Sequence, residues 1–122
     1  MSRLIVSFVL TLAIFAGAAV AACAVEKSAA KVAEGLVRVE RAEPDALAGE
    51  YESLKTAWDR AEKLFYVWFP HAEADALHEN IVLIGYYLGA GDTLRMRAEC
   101  REAGERVENI RNSEKISLEN LF

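Results

Sequence analysis

The sequence contains only two cysteines, Cys23 and Cys100. Two so placed make neither a disulfide framework nor a CxxC metal or redox motif. Cys100 falls on an apolar helical stripe, where a free cysteine behaves as an ordinary core residue. Prolines are equally few, Pro44 and Pro70, and each ends a helical pattern. No stretch alternates with period two, which argues against a sheet. There is no internal repeat, low-complexity linker, nucleophile motif, glycine-rich phosphate loop or HExxH. Gly85 and Gly89 fall within or at the end of a helical pattern, not after a strand. The many glutamates occupy polar faces, where carboxylates are solvated or paired at i, i+4. The chain therefore reads as no enzyme, with no catalytic residue and no cofactor. Cations are outnumbered, 14 Lys plus Arg against 19 Asp plus Glu. Arg3 is the only charged residue before Glu26, so the remainder carries a net charge of −6. Such a chain is poorly suited to nucleic acid, and its net charge gives no help toward anionic lipid.

What the sequence does have is one long uncharged run, Leu4–Val25, of 22 residues. At 1.5 Å per residue it reaches roughly 33 Å, against a hydrocarbon core of about 30 Å. Its only polar side chains are Ser7 and Thr11, so it lacks the polar face of a soluble helix. Residues 1–25 are read as a membrane anchor or signal segment, and 26–122 as one helical body. Met1-Ser2-Arg3 followed by an increasingly Ala-rich run also has the form of a secretory signal. Val20-Ala21-Ala22-Cys23 resembles a bacterial lipobox. Cys23 is then either the lipidated first residue of a mature lipoprotein or a small residue inside a spanning helix. Ala13, Gly17 and Ala21 form a small-xxx-small ladder that could bring two such helices together as a homo-oligomer. Lys27, Lys31, Arg38 and Arg41 after the run favour a cytoplasmic body by the positive-inside count. The signal-like start favours the opposite, and the expected placement is extracytoplasmic, on a bacterial cell membrane.

The rest of the chain shows apolar stripes of helical period. The first is Val25, Ala29, Val32, Leu36 and Val39, continuous with the membrane run and closed at Glu43-Pro44-Asp45. The second is Leu47, Tyr51, Leu54, Trp58, Ala61, Phe65 and Trp68, with a start expected at Pro44 and Asp45. Pro70 separates it from the third, Ala74, Leu77, Ile81, Ile84 and Leu88. Gly89-Ala90-Gly91-Asp92 then reads as a glycine stop followed by an Asp N-cap. The fourth is Met96, Cys100, Ala103, Val107 and Ile110, and Ser117–Phe122 reads as one further turn. Four stripes with short connections predict an all-α protein, an antiparallel up-down bundle of about four helices.

A stalk rising about 27 Å over 18 residues and a second helix descending about 37 Å over 25 would return Leu64–Phe69 to the membrane surface. Tyr66, Trp68, Phe69 and Phe122 are therefore candidates for a membrane-facing or partner-contacting aromatic collar; the alternative is that they plug the bottom of the bundle. His71, Asp75 and His78 at i, i+4 and i+7 are the one candidate metal set. The alternative there is an acidic first turn suited to the helix dipole beside surface histidines.

Trp58, then His71-Ala72-Glu73-Ala74-Asp75, then Tyr87-Leu88 before Asp92, then the ending Glu114-Lys115-Ile116-Ser117-Leu118-Glu119-Asn120-Leu121-Phe122, together resemble the DUF4363 family. The resemblance covers nearly the whole chain. Its most specific parts are the ending and the HxExD start of the third helix. It implies a short bacterial protein with an N-terminal membrane segment and a helical body, and no catalytic residue. Family members typically have an acidic residue in place of His78 and a longer aliphatic in place of Ala74. Two functional readings remain: a non-catalytic, membrane-tethered module binding another membrane or envelope protein, and a ligand or metal sensor built on the third helix.

Overall fold

The computed structural model describes residues 2–121, with side chains through Ser113. The described residues form four helices: α1, Ser2–Arg41; α2, Leu47–Trp68; α3, His71–Ala90; and α4, Thr93–Leu121. They contain no strand. α1 packs against α2 and α4, and α3 packs against α4 and less closely against α2. This is the expected up-down-up-down bundle, with α1 diagonally opposite α3.

α1 runs 40 residues without a break. No proline interrupts it, and its two glycines, Gly17 and Gly35, are both held in helical conformation. Its first half is largely exposed, and full burial begins at Val25. One rod is thus an exposed apolar helix below and a wall of the bundle above. The whole first stripe, Val25 through Val39, is buried. So are Leu54, Trp58, Ala61 and Phe65 of α2, Ala74 to Ile84 of the α3 stripe, and Met96 to Ile110 of α4. Period alone selects these positions, because residues three and four apart share one face.

Three details differ from expectation. Pro44 lies in a turn and α2 begins only at Leu47; Ala46 is its N-cap, and no side chain caps it. α4 continues unbroken to Leu121, with no separate terminal turn, as suits a segment that lacks proline throughout. Trp68, the last member of the second stripe, is 44% exposed. The α3–α4 connection is as expected. Gly91 has φ 72°; its N–H donates to the Leu88 carbonyl, and the Asp92 N–H donates to Tyr87 at 2.9 Å. That pair of bonds is a Schellman stop. Asp92 Oδ1 then accepts from the Arg95 N–H at 3.1 Å, capping α4.

Candidate membrane-proximal site

The register between α1 and α2 fixes what lies at the lower end of the body. A Cβ on buried Gly35 would sit 3.4 Å from the Leu54 Cα. Ser28, Lys31, Thr56, Ala57 and Arg60 line one shallow groove between the two helices. Counting one for one down the antiparallel pair places Val67 and Trp68 about level with Val20–Ala22, near the end of the apolar run. Val67 is 78% exposed, so the two residues stand out from the bundle beside the exposed apolar part of α1.

The candidate collar therefore divides. Phe69 packs edge-on against buried Phe65, ring centroids 5.0 Å apart. Its backbone is extended ahead of Pro70, and its N–H donates to the Phe65 carbonyl at 2.9 Å. Tyr66 is half-buried, and its hydroxyl donates to Asp75 Oδ1 at 2.5 Å. That bond is the main reason its phenol is pushed up to about 12. Tyr66 and Phe69 are thus engaged within the body, joining the end of α2 to the start of α3, and Trp68 faces outward. Phe122 lies outside the described residues. Val67 joins Trp68 as an outward residue that a search for aromatics passed over; its signal was the all-round apolar character of residues 64–69.

His71, Asp75 and His78 are not brought together as a ligand set. Asp75 accepts from Tyr66, and His71 lies edge-on to the Tyr66 ring at 5.6 Å. His78 Nδ1 accepts a hydrogen bond from the buried Trp58 indole at 3.0 Å. Among the described residues no group of three His, Cys, Asp or Glu is placed to hold a metal ion. Cys23 is exposed on α1, and Cys100 is buried. Burial, ahead of the charges of Glu40 and Glu99, pushes the Cys100 thiol up to about 12.

The α3–α4 contact holds a polar cluster that periodicity did not reveal. Asn80, 5% exposed, donates to Glu99 at 2.7 Å. Arg106 donates to Asn80 Oδ1 and to Glu73, both at 3.4 Å. On the other side of α4, Arg101 pairs with Glu40 at 2.6 Å and Arg111 with Glu26 at 2.5 Å. The second pair ties α4 to α1 just above the apolar run. Residues 24–121 match the model of the DUF4363 family, a domain of unknown function. No curated protein and no solved structure matches the chain.

Proposed function

The chain belongs to the DUF4363 family, and we propose that it is a non-catalytic interaction module held on a bacterial cell membrane by the first half of α1. The observation that carries this is the unbroken α1, exposed and apolar below Val25 and built into the bundle above it. Below Val25 the helix leaves Leu4, Ile5, Phe8 and Phe15 more than half exposed, a surface suited to lipid or to another membrane helix. The body stands on this rod in a set orientation, with Val67 and Trp68 toward the lipid interface and the α3–α4 turn farthest away. Its placement is extracytoplasmic. Its partner is another membrane or envelope protein, or a second copy meeting it at the Ala13, Gly17 and Ala21 ladder.

The test is intact mass from native membranes together with protease access on whole cells. A full-length mass with an externally cleavable body is expected. A mass starting at a lipidated Cys23 would replace the spanning anchor with a lipid one. A body cleaved only after the cells are opened would reverse the orientation. In vesicles, brominated lipid should quench Trp68 emission, and Val67→Ser with Trp68→Ser should leave thermal stability unchanged. Loss of stability in that variant would return these residues to a packing role.

A further inference from the structure

Cations of the body fall into two groups. Arg95, Arg101, Arg106 and Arg111, all on α4, are in ion pairs. Among the described residues Lys27, Lys31, Arg38 and Arg41 on α1, Lys55, Arg60 and Lys63 on α2 and Arg97 on α4 have no ion pair, and of these Lys27, Lys31, Arg60 and Lys63 lie nearest the apolar run. Lys31 and Arg60 line one groove, with Ser28 and Thr56 between them. Lys27 lies one turn below Lys31, and Lys63 one turn below Arg60. The side chains on the two helices also approach each other in height. A helical side chain leans toward its own N-terminus, so those of α1 lean toward the membrane and those of the antiparallel α2 lean away from it.

Two neighbouring carboxylates are engaged elsewhere. Glu26 is engaged by Arg111, and Glu62 approaches His78 Nδ1 at 4.0 Å, on the α3 side. Asp59 lies on α2 one turn above Lys63, with no ion pair among the described residues. Glu52 lines the same groove, eight residues and about 12 Å farther from the membrane than Arg60. Glu34 lies on α1 one turn above Lys31. The level of Lys27 to Lys31 begins about 3 Å above Val25 and ends about 9 Å above it. A bilayer's headgroup layer is about 5–7 Å thick on each side. Four unpaired cations therefore stand at headgroup height on one face of a protein whose overall charge is negative.

We infer that this α1–α2 face, through Lys27, Lys31, Arg60 and Lys63, binds the phosphate of anionic phospholipid in the leaflet on which the body stands. The inference rests on the membrane-tethered reading above. It gives that reading a lipid preference and a rotational orientation, with the α1–α2 face bearing on the headgroups. Ser28 supplies a hydroxyl donor beside the two groove cations. The Thr56 hydroxyl donates instead to the Glu52 carbonyl.

The test places the full chain in phosphatidylcholine vesicles containing a minority of phosphatidylglycerol. Spin-labelled versions of the two lipids report the fraction held at the protein. The wild type should hold the anionic lipid about five-fold more strongly, the contribution of roughly one cation near such a surface. Lys31→Gln with Arg60→Gln should bring the ratio close to one, and added salt should do the same. Lys55→Gln with Arg97→Gln, on exposed and unpaired cations away from this face, should leave it unchanged. Equal retention of both lipids by the wild type would overturn the inference, as would a preference that survives the Lys31/Arg60 variant. Displacement of the lipid by inorganic phosphate beyond that by chloride at equal ionic strength would also overturn it, in favour of a soluble phosphate compound. Trp68 quenching in the same vesicles separates the two readings. Quenching without a lipid preference defeats this inference alone, and absence of quenching defeats the membrane seating itself.

Discussion

Adding a single methyl group at Gly85 should destabilise the protein, although the same change at Gly49 or Gly104 should stabilise it. Gly85 lies in α3 under the ring of Tyr51 from α2. A Cβ there would sit 2.7 Å from the Tyr51 Cζ, and the Tyr51 hydroxyl donates to the Ile81 carbonyl at 3.3 Å. Two effects oppose each other. Replacing glycine by alanine inside a helix contributes about 1 kcal/mol of stability. Displacing the ring costs about 1–3 kcal/mol through overpacking, and losing its hydrogen bond costs about 1 kcal/mol more. The net for Gly85→Ala is a loss of about 1–3 kcal/mol, or about 4–24 °C in Tm for a body of this size. At Gly49 and Gly104 an added methyl group would have nothing within 4 Å, so alanine at either should raise Tm by a few degrees. The assay is thermal unfolding of the full chain in detergent, followed by Trp58 emission in a Trp68→Phe background. The decisive comparison repeats Gly85→Ala in a Tyr51→Ala protein, where the obstruction is gone and the change should become stabilising. A loss of equal size in both backgrounds would refute the argument, because it would place the cost somewhere other than the Tyr51 ring.

Asn80→Leu should cost about 1–2 kcal/mol in the same unfolding assay, since Glu99 and Arg106 both lose a partner at the buried α3–α4 contact. A smaller loss is expected from Glu102→Gln, whose pair with Arg106 is exposed. The Trp58 indole donates to His78 Nδ1, so nitrogen NMR should find the His78 ring proton on Nε2, and His78→Ala should shift Trp58 emission. Cys100, with its folded thiol pushed up to about 12, should resist maleimide near neutral pH when Cys23 reacts in detergent. Because the folded value lies above the unfolded one, its contribution to stability is complete below about pH 8.5. That contribution is lost as pH rises from there toward 12; a Cys100→Ala protein should show a shallower alkaline decline.

The three- and four-residue spacing of apolar side chains determined which residues face the core, because a helix repeats its faces regardless of its neighbours. Leu4–Val25, too long and too uncharged for a soluble surface, likewise marked the segment most of which is exposed outside the bundle. Gly91 and Asp92 were legible because stopping and capping a helix are local acts. Helix lengths returned residues 64–69 to the level of the apolar run, but exact register and rotation between helices were not legible, since they come from packing between residues far apart in sequence. Only that packing carried Trp68 past the end of the core, turned Tyr66 onto Asp75, and gave His78 to Trp58 in place of a metal set. It buried Asn80 where Arg106 and Glu99 satisfy it. It also set Arg101, Arg106 and Arg111 of α4 against carboxylates of facing helices and left Lys27, Lys31, Arg60 and Lys63 without an ion pair among the described residues. Net charge is a sum over the chain, and a membrane meets only the charges that the register brings to its surface.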